Sequence, residues 1–152
     1  MEFIGRHNRN EIYYLDTNDS LENLPKEKWI SLGIANASVD NAYFDEFIAE
    51  ATNRNLIEFK ASGKLAKELN SILYISLIED YPISEIINND SFEDLLTCLW
   101  GCFYGNIFPE AIDQTYIKVV CISFDNMNYK EALIQSVDRL NEGWNPDETN
   151  GA

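Results

Sequence analysis

Few side chains in this chain could do covalent or metal chemistry. Cys98 and Cys102 stand four apart in LTCLWGCFYG, Cys121 lies in an apolar run, and His7 is the only histidine among 152 residues. Residues four apart are neighbours on a helix, so the CxxxC pair could meet. A redox pair usually draws its low thiol pKa from a helix N-terminus, whereas both cysteines fall in the middle or end of the expected helix. A structural zinc takes about four Cys, His or carboxylate ligands, and His7 lies in a polar N-terminal stretch. On a helical wheel Phe92, Leu95, Leu96, Leu99, Cys102 and Phe103 share one face, with Cys98 at its margin. Core packing is therefore the expected role, because buried cysteine behaves as a small hydrophobe; a redox or metal role is the alternative. Trp100 and Tyr104 fall at the opposite margin, where they either cover a neighbouring element or anchor a partner.

Nucleophilic catalysis of the Ser-His-Asp or Cys-His kind needs a histidine in the core, and none is expected there. The acid pairs Asp45-Glu46, Glu79-Asp80 and Glu93-Asp94 are adjacent residues, which point apart on a helix, so a solvated face is expected for each. The stretch GIANAS, residues 33 to 38, joins a strand to a helix start but lacks the glycine spacing of a dinucleotide or Walker loop. The residue set predicts no enzyme, no cofactor and no metal site.

The elements that would position these residues alternate. Residues 1–10 are polar and expected to be loose. Glu11 to Leu15 has strand composition, residues 16–28 are loop-like, and WISLGIA (Trp29 to Ala35) predicts a buried strand. Ser38 is expected to cap a helix from Val39 to about Asn53, with Val39, Tyr43, Phe44, Phe47 and Ala51 on one side. Leu56 to Phe59 predicts a short strand, and Gly63 precedes a second helix from about Lys64. The all-apolar run ILYISLI (Ile72 to Ile78) fits the end of that helix or a separate strand; its β-branched content leans to strand. Ser91 is expected to cap a further helix, with Asp94 at the capping-box position and Gly105 and Pro109 closing it. TYIKVVCISF (Thr115 to Phe124) is the clearest strand, buried on both faces. Asn128 then caps a last helix whose stripe is Tyr129, Leu133, Val137, Leu140 and Trp144. Strands alternating with helices predict an α/β fold: a single-domain sandwich over residues 11–144, with a mostly parallel central sheet flanked by helices. Residues 145–152 form a polar tail expected to fray.

Charge is the unusual feature. The chain has 26 acids against 11 bases, a formal charge of -15, which disfavours nucleic acid and anionic membrane surfaces and suits a cationic partner. Nothing resembles an export signal or a membrane span, and three cysteines are an odd count for a disulfide framework; a cytoplasmic location is expected. The acids are also segregated. Between Lys67 and Lys118 there is no Lys or Arg and nine acids: Glu68, Glu79, Asp80, Glu85, Asp90, Glu93, Asp94, Glu110 and Asp113. Arg54, Lys60, Lys64 and Lys67 cluster instead, with only Glu58 among them. Acidity for solubility alone would explain the total; a negative patch that steers a basic partner would explain the layout.

WISLGIANASVDNAYFDEFIAE, DLLTCLWGCFYGN and IKVVCISFDNMNYKEAL give the chain its character: small, acidic, α/β and without a catalytic set. In this it resembles the immunity proteins of bacterial toxin systems, including contact-dependent growth inhibition. The resemblance implies a protein that binds a cognate toxin domain, often a basic nuclease, and blocks its active site. It assigns no functional residue. From the charge layout, the expected toxin-binding residues are Glu79, Asp80, Glu85, Asp90, Glu93 and Asp94, with Tyr81 and Trp100 as anchors. The alternative is a small α/β ligand-binding domain or enzyme with its site at the C-terminal edge of the sheet, near Ser38 and Asp125.

Overall fold

A computed structural model of the chain describes residues 1–104 and 117–147, without the side chains of Asn89 and Asp90. Among the described residues, six strands form one sheet in the order β1-β2-β6-β3-β4-β5. The strands are β1 (Glu2–His7), β2 (Asn10–Leu15), β3 (Trp29–Ile34), β4 (Leu56–Ser62), β5 (Ile87–Phe92) and β6 (Lys118–Ser123). All neighbouring pairs are parallel except β1 with β2. Helices α1 (Asn41–Thr52) and α2 (Ala66–Asp80) cover one face; α3 (Leu95–Tyr104) and α4 (Lys130–Asn141) cover the other. The expected α/β sandwich with a mostly parallel sheet is what the chain adopts. Among the described residues, no helix is long and apolar enough to cross a membrane.

The order of the strands follows from connection rules. From β3 the chain steps outward through α1 to β4 and through α2 to β5, both helices on one face. It then returns by way of α3 to β6, which lies between β2 and β3. Parallel crossovers are right-handed, so reversing direction along the sheet moves the helix to the opposite face. The central strands β3 and β6 are buried along nearly their whole length because both faces carry helices.

Under α1 and α2 the core is aromatic. Phe44, Phe47, Phe59 and Phe124 have ring centroids 4.6 to 6.5 Å apart, in the tilted and edge-on arrangements aromatic rings prefer. Gly33 makes this packing possible, since a Cβ there would lie 2.6 Å from Phe59 Cζ. Under α3 and α4 the core is aliphatic and sulfur-bearing: Ile30, Leu32, Leu99, Cys98, Cys102, Cys121, Leu133 and Val137.

Several local expectations need correction. Residues 2–7 are not loose; they form β1, paired with β2, and His7 is buried. Asn141 Oδ1 pairs with His7 Nδ1 at 2.8 Å and the Tyr104 hydroxyl with Nε2 at 2.5 Å. The run Ile72 to Ile78 is helix, within α2. Asp40, not Ser38, caps α1, accepting from Tyr43 N at 3.1 Å. Asp94, not Ser91, caps α3, accepting from Thr97 N at 3.0 Å; Ser91 belongs to β5. Gly105 and Pro109, expected to end α3, and the expected frayed tail beyond Asp147 lie outside the described residues.

Candidate functional site

The three thiols occupy core positions. Cys98, Cys102 and Cys121 are fully buried. Burial pushes the Cys102 thiol up to about 12, with Lys60 opposing and Glu58 reinforcing the shift, and burial raises the Cys121 thiol as well. Thiolate chemistry at neutral pH needs the opposite shift. Among the described residues no group of three His, Cys, Asp or Glu side chains could hold a metal ion.

Two regions carry more information. The first is the C-terminal edge of the sheet between β3 and β6. The chain leaves β3 towards α1 and leaves β6 towards α4, on opposite faces, which opens the crevice where α/β sheets commonly bind ligands. Here the crevice holds the protein's own carboxylate. Asp125 Oδ2 accepts from Asn36 N at 2.7 Å, Ala37 N at 3.1 Å and the Tyr129 hydroxyl at 2.6 Å. Its Oδ1 accepts from Ser123 Oγ at 3.0 Å and Met127 N at 3.1 Å. Asn36 Nδ2 donates to the Tyr129 oxygen at 3.1 Å, and Lys64 N donates to Asn36 Oδ1 at 2.9 Å. Burial alone would raise the Asp125 pKa; the backbone N–H groups of Asn36, Ala37 and Met127 and the Tyr129 hydroxyl outweigh it and hold the carboxyl below its ordinary range. Tyr129, pushed up to about 12 by burial and by its bond to Asp125, stays a donor. The carboxylate is perturbed, as a site residue would be, but the donors responsible are internal, and an acid with this low pKa and five donors is a poor base. Ser38, the other residue of that expected site, is exposed on the adjoining loop.

The second region is the lower half of α2 and the turn after it. Of the eight residues expected to bind a toxin, Glu79, Asp80, Tyr81 and Glu85 come together here, at the N-terminal edge of the sheet. Glu79, Asp80 and Glu85 are exposed. Glu93 and Asp94 lie past the other end of β5, whose six residues span about 20 Å. Asp94 spends its side chain on capping α3, accepting from both Thr97 N and Thr97 Oγ1. Asp90 is in β5, and its side chain is outside the described set. Trp100 is on α3, across the sheet, packed on the aliphatic core and 5.3 Å from the Tyr104 ring. The eight residues thus form no single patch.

What joins the four acids-and-tyrosine residues is apolar surface. α2 buries Ala66, Leu69 and Leu73, yet its outer side carries Tyr74, Ile75 and Ile78, each more than half exposed, and Ile83 on the following turn is 93% exposed. A groove of about 680 Å³ runs below them, between the end of α1, the start of β4 and residues 80–87. A second, of about 420 Å³, lies between Tyr74, Leu77 and Ile78 on one side and Tyr81, Pro82 and Ile86 on the other. Among the described residues neither is lined by a Lys or Arg; Asp80 and Glu85 line the first. The signal for these apolar residues was present in ILYISLI: a helix apolar on all sides needs cover on all sides, and α2 has it on one.

The basic cluster read from the sequence is also dispersed. Lys60 and Glu58 are 1% and 2% exposed and paired at 3.2 Å on the α3 side of β4, with Lys60 Nζ 5.8 Å from the Phe92 ring centroid. Arg54 is tied to Glu50 at 2.9 Å and to the Leu24 carbonyl at 2.7 Å. No family model, no curated protein and no solved structure matches this chain.

Proposed function

We propose that this protein is an inhibitory binding protein of the immunity type, which neutralises a cognate, basic toxin domain such as a nuclease by covering its active cleft. The observation that carries this is the lower face of α2: Tyr74, Ile75, Ile78 and Ile83 exposed together, edged by Glu79, Asp80 and Glu85, with no base among the described residues lining the adjoining grooves. Clustered apolar side chains in water mark a protein-binding surface, and an apolar centre with a polar rim is the anatomy of an interface. The acidic rim and the net charge of -15 suit a cationic partner, whose approach they accelerate. Carboxylates on such a rim can stand where a nuclease expects phosphates.

The test is co-expression with the product of the adjacent gene, reading growth and then complex formation by calorimetry. Protection of the host together with a tight one-to-one complex is expected. A neighbouring toxin that kills equally with and without this protein, and does not bind it, would falsify the proposal.

A further inference from the structure

The exposed face has a shape and a charge that narrow its occupant. Its apolar residues Tyr74, Ile75 and Ile78 sit on one side of a regular helix, with Ile83 continuing the strip beyond the Pro82 turn. A convex helical strip with a groove beside it suits ridge-into-groove packing by another helix. A second copy of this chain is disfavoured. An isologous contact sets the patch against itself, which would place Glu79, Asp80 and Glu85 of both copies in one interface, and among the described residues no Lys or Arg lines its grooves. We infer that this face docks a cationic amphipathic helix of the partner, its apolar side on Tyr74, Ile75, Ile78 and Ile83 and its Lys or Arg side chains reaching Asp80 and Glu85. The inference rests on the protein-binding function proposed above and names the chemistry of the partner's contact.

The experiment uses the full chain, isotope-labelled, and an idealised Leu/Lys helical peptide as probe, with a peptide of the same composition in scrambled order as control. Amide shifts confined to residues 74–86 are expected, together with helix gained by the peptide. Ile75→Ser/Ile78→Ser should weaken binding by at least about tenfold, because central apolar contacts carry most interface energy. Asp80→Asn/Glu85→Gln should weaken it several-fold at low salt and little at high salt. All four positions are on the surface, so the variants should fold, which the same spectra report. Shifts elsewhere, equal binding of the scrambled peptide, or self-association of the protein through this face would overturn the inference. If Ile75→Ser/Ile78→Ser still neutralised the toxin fully, this docking face would be wrong and the inhibitor function would stand. If the peptide bound here while no toxin was neutralised, the docking face would stand and the inhibitor function would fall.

Discussion

At the C-terminal edge of the sheet five donors converge on one buried carboxylate, while at the N-terminal edge large apolar side chains face water beside acids, in grooves that no Lys or Arg lines among the described residues. The first region is closed. Both oxygens of Asp125 are used, and four of the five donors come from the two loops, after β3 and after β6, that diverge there, the fifth being Ser123 at the end of β6. Asp125 acts as an internal counterpart of the anion that such a crevice often receives from outside, and it ties the loops together. The second region is open. Tyr74, Ile75, Ile78 and Ile83 stay more than half exposed, so the core gains little from their being apolar. Stability therefore accounts for the polar cluster, and the binding role proposed above would account for the apolar one, the reverse of the usual association of polarity with function.

The largest effect that could break this contrast is at Asp125. Asp125→Ala should cost about 4 kcal/mol, since it leaves buried backbone N–H groups without an acceptor; urea unfolding measures it. The pH dependence has a definite sign. The folded-state pKa lies below the ordinary carboxylate value, so the stabilisation is present above the ordinary range and is lost as pH falls through the folded pKa. The gap between the native protein and Asp125→Asn should accordingly narrow on acidification. A neutral Asp125→Ala would show that the crevice is open rather than closed, and would revive a ligand site there.

Next in size is the buried pair on β4. Removing one partner of a buried ion pair leaves the other charged and desolvated, typically at about 3–5 kcal/mol. Lys60→Met should fall near the lower figure, and Glu58→Leu/Lys60→Met should recover much of the loss, because apolar replacement of a whole buried pair is often close to neutral. A double variant destabilised by the sum of the two single losses would indicate that Glu58 and Lys60 act through separate partners.

These pairs also show which parts of the molecule the sequence exposes to inspection. The central strands were legible in WISLGIA and in KVVCIS because burial on both faces leaves a continuous apolar run. Helix α4 was legible because only one of its faces is buried, on Leu133, Val137 and Leu140. β5 was not legible at all. INNDSF has the Asn, Asp and Ser that strands usually avoid, and its backbone ladder with β4, together with α2 packed beside it, overrides that preference. β1 was missed in the same way, its polar ends masking a strand that pairs with β2. Glu58 and Lys60 resembled surface charges because they alternate with apolar residues, the pattern of a half-exposed strand; α3 covers that face and turns the pattern inward. For the candidate site, the acids were visible by counting, but their division between two ends of β5 depends on a strand that composition concealed. The apolar half of the site was hidden in the ambiguity of Ile72 to Ile78: read as strand, the run is core, and read as helix, it has an uncovered side.

The smallest effect is the most informative about selection on the open region. Glu79 and Asp80 occupy the last turn of α2, where no base is present. The C-terminal end of a helix carries partial negative charge, so acids are unfavourable there by about a few tenths of a kcal/mol each at low salt. Glu79→Gln/Asp80→Asn should therefore raise stability slightly, a gain that shrinks at high ionic strength as the field is screened. The same double variant should slow association with a cationic partner at low salt, since steering depends on that charge. Stopped-flow association and thermal unfolding on one pair of proteins measure both. Opposite signs in the two measurements would mean that these acids are kept for the encounter at the expense of the helix. A variant that is less stable, or that associates as fast as the native protein, would instead assign them an ordinary structural or solvating role and remove the electrostatic half of the contrast.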